Sequence, residues 1–510
     1  MFRTALISMF LTSTALADTW TVDDDGKADF DNIQAAVDAS SDGDEIIVMP
    51  GTYTSTAAEV VNMLGKAVTL RSLYPDNPDV VATTIIDGEG VRRGIVCDSG
   101  ETSKTIIEGF TITNGYANNG GGMYNYSNSP TLTNCTFTGN TATNDGGGMH
   151  NEDSSPMLTD CTFENNTADH YGGGMYNYYH CSPTLENCTF TGNTATRGGG
   201  MFNLNSSNPT LTDCTFENNA SNDIGGGMFN SNSSSPTLTD CTFTGNTANA
   251  GGGGMYNFTI SNPTLTGCTF ESNTANYGGG MNNNYENNPT LTNCTFENNT
   301  ASRGGGMYNH YNSNPTLTGC TFTGNTANDY GGGMYSYNIC SPTLENCIFE
   351  NNHADASGGG MYNWESSDPI LTDTIVCGNT PDQIYGNWTD NGGNHVSPFC
   401  KGDDDGDGIP DDIDNCYLYN PDQADCNGND VGDVCDIADG TSTDWDGSGI
   451  PDECECLADI ALDDGQVNVN DLLTLIAVWD TASPTGDINY DGTVNIEDLL
   501  LLIGAWGACP

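Results

Sequence analysis

Near the C-terminus, oxygen-bearing side chains are spaced to hold a hard cation. Asp487, Asn489, Asp491, Asn495 and Asp498 fall at positions 1, 3, 5, 9 and 12 of one loop, with the Thr493 carbonyl at position 7 and Gly492 at the turn. Ca²⁺ takes about six to eight such oxygens. A related segment precedes it, Val467-Asn468 to Trp479 against Val494-Asn495 to Trp506. Its ligand places are less regular. Asp464, Asn468 and Asp471 fit and Gln466 lies among them, but Ile460 and Leu462 occupy the first two places unless a one-residue insertion brings in Asp459 and Asp463. Further upstream, Asp403, Asp405, Asp407, Asp411 and Asp414 alternate around Gly408. A second set is Asp425, Asn427, Asn429 and Asp433, and a third is Asp444, Asp446 and Asp452. Asp430 replaces the loop glycine in the second set and Ser448 replaces an acid in the third. A solvated acidic tail is the simpler alternative, since residues 401–510 hold 27 acidic side chains against one basic, Lys401. The alternate spacing around glycine favours Ca²⁺ ligands.

The rest of the chain offers little catalytic chemistry. A net charge of −58 with ten Lys and Arg excludes a nucleic-acid partner, because phosphate binding needs clustered basic side chains. Between residues 120 and 380 the only cationic side chains apart from histidine are Arg197 and Arg303. Paired carboxylates for glycoside hydrolysis stand about 5–9.5 Å apart, whereas Asp160 and Glu164 on one strand would stand about 13 Å apart. Acids recur as a column, Thr138, Glu164, Thr191, Glu217, Thr244, Glu271, Glu297, Thr323 and Glu350, in which Glu271 and Glu297 are the neighbours able to share a cation. No position stands out from its copies. The β-region is therefore expected not to be an enzyme. The alternative is a polysaccharide lyase or O-glycosyl hydrolase, and a third reading is a structural spacer or adhesin.

What must position these groups is a repeat. Gly-Gly-Gly-Met recurs ten times at a step of 26 or 27 residues, from Met123 to Met361. Cysteines keep the same step from Cys135 to Cys347, each followed by Phe (Phe137 in the first) and then by Asn, from Asn140 to Asn352. A fixed period of this length means one unit stacked many times. Local alternation with Thr, Phe and Cys, bounded by Gly, Asn and Pro, reads as short strands and turns. Leu132, Cys135, Phe137, Ala142 and Met149 are expected to point inward, and the Asn column to bond along the axis. The Cys column reads as packed thiols, because strand spacing of about 4.8 Å does not suit a disulfide; Cys181 and Cys340 lie outside it and are expected to form bridges. The residue after each Met should then face outward. That column holds Tyr124, Tyr176, Phe202, Phe229, Tyr256, Tyr308, Tyr335 and Tyr362, interrupted by His150 and Asn282. An exposed aromatic track would be a polysaccharide-contacting face; the competing reading is rings that stack on one another to stiffen the sheet.

Arg3, an apolar run from about Ala5 to Leu11 and Ala15-Leu16-Ala17 lay out an export signal over residues 1–17, so a secreted, extracellular or cell-surface protein is expected. No later segment has the roughly 18 apolar residues of a membrane span. Asp31-Asn-Ile-Gln34 reads as a capping box opening a helix at Ile33–Ala39, a lid for the apolar end of a stack.

Several of these motifs resemble known families. Glu45 to Tyr53 and Ile106 to Gly115 resemble early coils of pectin-lyase-like right-handed β-helices, and Gly-Gly-Gly-Met with Phe-x-x-Asn resembles the repeats of polymorphic outer-membrane proteins. That resemblance implies a mainly β fold, a right-handed parallel β-helix solenoid over residues 18–400. Lyases of that superfamily generally combine calcium-binding acids with an Arg or Lys base, a set these repeats lack. Residues 401–456 resemble thrombospondin type 3 repeats, implying a calcium-loop spacer. Residues 457–510 resemble a type I dockerin, implying a small α-helical EF-hand-like domain and a cohesin-type protein partner.

Overall fold

The computed structural model describes residues 17–397, 400, 431–442, 451, 458, 460–461, 466–483, 485–489 and 491–508. Outside them lie the expected export signal apart from its last residue, the expected ligands from Asp403 to Asn429, and Asp444, Asp446, Asp452, Asp459, Asp463 and Asp464. The side chain of Asp433 also lies outside the description. The chain divides into two units at residues 398 and 399.

The first unit is a parallel β-solenoid. Around Phe216 one coil runs through Thr210–Thr212, Thr215–Glu217, Ala220–Ile224 and Met228–Ser231. Stacked copies make four parallel sheets of 15, 14, 10 and 13 strands, named here for their inward residues the leucine, phenylalanine, alanine and methionine sheets. The repeat sets the register directly: Leu211 faces Leu185 and Leu238, Phe216 faces Phe190 and Phe243, and Met228 faces Met201 and Met255. Leu132, Cys135, Phe137, Ala142 and Met149 are all buried as the alternation requires. Phe216 stacks face to face on Phe190 and Phe243, each at a centroid distance of 4.7 Å. Such offset ring pairs add about 0.5–1.5 kcal/mol to the burial itself.

Two amide ladders satisfy polar groups inside the coil. Asn219 Nδ2 donates to Asn246 Oδ1 at 2.9 Å and to the Phe190 carbonyl at 2.8 Å, closing the turn after the phenylalanine strand. A second ladder, two residues after each Met, was not read from the sequence. Asn203 donates to Asn230 at 2.8 Å and Asn230 to Asn257 at 2.9 Å, and the series continues to Asn309. There Ser336 takes the next place, and Asn309 Nδ2, Ser336 Oγ and Asn363 Oδ1 are left without partners.

The glycine triplet turns the chain from the alanine sheet into the methionine sheet. Gly198 has φ +64°, which an L side chain rarely adopts, and a Cβ on Gly199 would lie 2.4 Å from the Ala220 carbonyl oxygen of the next coil. The cysteine column is buried and free, as expected. Cys181 and Cys340 are also free thiols, which corrects the expectation of bridges. They stand in a column held mostly by serines, with Asn128 and Asn287 as its other members. Cys181 Sγ accepts the Ser154 N–H at 3.3 Å and the Cys181 N–H reaches Ser207 Oγ at 3.2 Å, so the sulfur takes a hydroxyl's role. Cys377, in the last phenylalanine-sheet coils, is disulfide-bonded.

The helix Ile33–Ala39 forms where expected and buries Ile33, Ala36 and Val37 in the core of the solenoid. Its cap is Asn32 rather than Asp31: Asn32 Oδ1 accepts the Ala35 N–H at 2.8 Å.

The second unit carries helices Asp433–Asp439, Val469–Ala477 and Ile496–Gly504, and an antiparallel pair of Gln466–Val467 with Gly507–Ala508. Its described core is Ala458, Val467, Leu475, Ile488, Val494 and Leu502. The two longer helices begin alike, with capping boxes Asn468/Asp471 and Asn495/Asp498. Among the described residues no helix is long and apolar enough to cross a membrane.

Candidate functional site: an aromatic-floored groove

The aromatic column after each Met does not face solvent. Tyr176, Phe202, Phe229, Tyr256, Tyr308, Tyr335 and Tyr362 are buried, and Tyr124 is half-buried. They do lie on the outer side of the methionine sheet, but they are covered. The glycine turn folds the end of each alanine-sheet strand back against that face. This sets a second column beside the rings, running Asp145, Tyr171, Arg197, Ile224, Gly251, Tyr277, Arg303, Tyr330 and Ser357. Tyr171 meets Phe202 edge-on at 5.0 Å, and Tyr330 meets Tyr362 at 4.6 Å. The rings also stack on their own copies, Tyr308 on Tyr335 and Tyr335 on Tyr362 at 5.1 Å and 5° each. The reading of an exposed track is thereby corrected, and self-stacking accounts for the column.

Exposed aromatic surface lies beside the column: Tyr285, Tyr311 and Trp364 stand three or four residues beyond a Met, and Tyr385 is the last ring of the column itself, paired with Tyr362. Tyr285 and Tyr311 stack at 4.6 Å in the turn that follows the strand, and Trp364 and Tyr385 lie at 6.4 Å. These four side chains are between 38% and 47% exposed. Beside the covering column two cavities open above the floor. One, of about 380 Å³, is lined by Tyr256, Tyr277, Asn282, Asn284, Arg303, Tyr308, His310 and Tyr337 among others. The other, of about 590 Å³, is lined by Arg303, Tyr330, Tyr335, Tyr337, Tyr362, Trp364 and Tyr385 among others. Arg303 and Tyr337 belong to both, so the two form one groove with a guanidinium at its middle. Burial pushes the Tyr308 and Tyr335 phenols well above their usual range and the His310 imidazolium down to about 4, so these side chains are neutral at pH 7.

One coil of the column does stand out. His150 replaces an aromatic between Tyr124 and Tyr176 and is 2% exposed. Its Nε2 lies 3.8 Å from a Glu152 oxygen that also accepts the Tyr124 hydroxyl at 3.2 Å. Arg93 lies over the Tyr124 ring at 4.9 Å and donates to the Asn119 and Gly120 carbonyls. His150 holds Glu152 below the usual carboxylate range, while burial raises Asp145 and drives the Tyr124 phenol to about 12. Sequence reasoning missed this cluster because Arg93 precedes the repeats; the signal was a single histidine in an aromatic column. The glutamate column offers no such gathering. Glu271 and Glu297 are register partners, and each of Glu164, Glu217, Glu297 and Glu350 accepts a hydrogen bond from the asparagine that follows it.

In the second unit the described ligand candidates form two matching loops. Asp498 accepts the Ile488 and Asn495 N–H groups at 2.7 and 2.8 Å, and Asp471 accepts those of Ala461 and Asn468 at 2.9 and 2.8 Å. Asp487 accepts the Asp491 and Gly492 N–H groups, and Asn495 Nδ2 donates to the Thr493 carbonyl at 2.8 Å. Asn489 and Thr493 hold Asp491 below the usual carboxylate range, and despite burial the Asn468 and Ala461 N–H groups do the same for Asp471. Gln466 lies in the short strand beside Asn468. The donor set from Asp487 to Asp498 is all oxygen, which suits a hard cation, although among the described residues no three His, Cys, Asp or Glu side chains converge on one point.

The right-handed β-helix region model matches residues 93–257 and 239–380. The chain belongs to the right-handed β-helix family. Solved structures of similar winding include the A-module of the Azotobacter vinelandii mannuronan C-5 epimerase AlgE6, at 14% identity and TM-score 0.34 over 72% of this chain and 94% of that one. Pectate lyase Pel9A matches at 12% identity and TM-score 0.29 over 73% and 76%. The alginate lyase of Paenibacillus sp. str. FPU-7 matches at 11% and 0.27 over 74% and 99%. Values this low carry no argument about activity. No curated protein matches the sequence.

Proposed function

We propose that this β-helix protein is secreted, contacts polysaccharide through its solenoid and is anchored through a calcium-dependent C-terminal module. The observation that carries the first half is the groove. Its floor is stacked rings, exposed Trp364 and Tyr385 line one end, and its middle is a cation in a strongly acidic chain. Flat aromatic surface with a few fixed polar groups is what a sugar face requires of a site. Affinity electrophoresis through gels of acidic and neutral polysaccharides tests this. Retardation by at least one polymer, weakened by Trp364→Ala with Tyr385→Ala, is expected. Migration unaffected by every polymer refutes the groove.

The second half rests on duplication in the C-terminal unit. Val469, Leu473, Ile476 and Trp479 are exposed on or beside one helix, and Ile496, Leu500, Ile503 and Trp506 repeat them on the other. Apolar stripes at this spacing serve docking to another protein, and a cohesin-type partner is the one the dockerin resemblance implies. In this reading Asp487, Asn489, Asp491, Thr493, Asn495 and Asp498 hold Ca²⁺, and the acids of residues 401–471 form further sites.

The Arg93, Tyr124, His150 and Glu152 cluster is the one observation that favours a catalytic reading, a polysaccharide lyase or hydrolase. Against it, His150 is sealed under the column and cannot meet a polymer. Release of unsaturated uronates or new reducing ends by the full chain, abolished by His150→Phe, would establish that reading over the binding one.

A further inference from the structure

The floor of the groove lacks one ring. Rings run without a break from Tyr176 to Tyr256 and again from Tyr308 to Tyr362, with Asn282 between the two runs. Beside the gap, the covering column also drops its side chain, at Gly251 between Ile224 and Tyr277. A Cβ on Gly251 would lie 2.7 Å from Asn282 Nδ2 and 3.0 Å from a Tyr256 ring carbon, so any side chain there would enter the space. Two small residues on two columns thus open the cavity of about 380 Å³, within the range of about 300–1,000 Å³ usual for small-ligand clefts.

The polar atoms around this notch are incompletely matched. Asn282 is 3% exposed; its Nδ2 donates to the Tyr277 carbonyl at 3.1 Å, which fixes the amide, and its Oδ1 has no partner. Asn284 Nδ2 donates to the Tyr256 hydroxyl at 3.0 Å, and its Oδ1 also has no partner. His310 Nε2, on the neighbouring coil, has none either. Two acceptors and a neutral imidazole call for hydroxyl groups, since native buried polar atoms are nearly always paired. Tyr256, Tyr277, Tyr308 and Tyr337 supply ring surface around them. Arg303 stands 3.5 Å from Asp329, longer than an ordinary N–H···O bond, so its guanidinium remains available to a second anion.

We propose that the Asn282 notch is a subsite for a single pyranose unit bearing a carboxylate. The ring lies among the tyrosines, hydroxyls donate to Asn282 and Asn284, and the carboxylate meets Arg303. This rests on the reading of the groove as glycan-contacting and adds its position and charge preference.

Saturation-transfer NMR and calorimetry on the full chain, with D-glucuronate, D-glucose and acetate as probes, test it. D-Glucuronate is expected to bind about tenfold or more tighter than either of the others, the scale of one charge-assisted contact. Asn282→Tyr restores the residue type of the neighbouring coils and should remove glucuronate binding while the thermal unfolding profile holds or rises. Arg303→Gln, at a half-exposed site, should reduce glucuronate to the level of glucose. Equal binding of glucose and glucuronate overturns the charge preference, and wild-type affinity in Asn282→Tyr overturns the subsite. A polysaccharide retained equally by wild type and Asn282→Tyr, with no monosaccharide bound, overturns the notch and leaves the groove standing. Binding of neither polymer nor monosaccharide removes both.

Discussion

Ser336→Asn is expected to stabilise the solenoid by rejoining its second amide ladder. In the wild-type chain the ladder stops at Asn309 and leaves three atoms unpartnered, Asn309 Nδ2, Ser336 Oγ and Asn363 Oδ1. Ser336 faces Asn309 on one side and Asn363 on the other. An asparagine there offers an oxygen to the first and an amide N–H to the second, as Asn257 does between Asn230 and Asn283 at 2.9 and 2.8 Å. A buried group without a partner costs about 1–3 kcal/mol, and fixing an amide side chain offsets part of the gain, so a net of about 2 kcal/mol is expected. Space is not the obstacle, because the equivalent asparagine fits in all the coils from Asn125 to Asn309 beside the same buried methionine. Hydrogen exchange reads the effect where it occurs: amides of Met307, Met334 and Met361 should exchange roughly thirtyfold more slowly at 2 kcal/mol. The same substitution in an Asn309→Leu background should give about half that gain. Rates unchanged or faster in the single variant would show that the ladder contributes nothing, and the account of buried amides in this fold would fall with it.

Three further outcomes follow from the same geometry. His310 has its imidazolium pushed down to about 4 by burial, against about 6.5 in an unfolded chain, so the native state resists its protonation. Its contribution is therefore intact above about pH 6.5 and lost as pH falls toward 4; because the ring is only half-buried, about 1–2 kcal/mol is at stake. Urea unfolding of His310→Phe should be less acid-sensitive than wild type across that window, and parallel pH profiles would refute the assignment. Phe216→Ala removes a buried ring and two 4.7 Å stacks and should cost about 3–5 kcal/mol, measured as a lower unfolding midpoint and faster exchange in adjacent coils. Asp487→Ala with Asp498→Ala should abolish calorimetric Ca²⁺ binding at the loop from Asp487 to Asp498, and chelation should change the C-terminal unit's circular dichroism while the β-sheet signal persists; a chelator-insensitive spectrum counts against the calcium reading.

The period of 26–27 residues, the inward Leu, Cys, Phe and Met, and the asparagine ladder after Phe were all legible in the sequence, because a stacked repeat turns composition into columns. A local capping signal, not the repeat, placed the helix at Ile33–Ala39. Alternation along a strand also assigned Tyr176 and Tyr335 correctly to the outer side of their sheet. It could not say what lies over them. Their cover comes from the far end of the preceding strand, brought back by a glycine turn whose positive φ and close carbonyl contacts exist only in three dimensions. Cys181 and Cys340 likewise read as bridge candidates until stacking placed their sulfurs in a ladder made mostly of serines. The notch at Asn282 needed the tertiary structure most. An asparagine among aromatics is visible in the sequence, but only the registry of three columns sets it beside Gly251, Asn284 and Arg303 and makes one missing ring into a cavity. Sequence determined the spacing along the axis; packing across the glycine turn decided which side chains meet solvent.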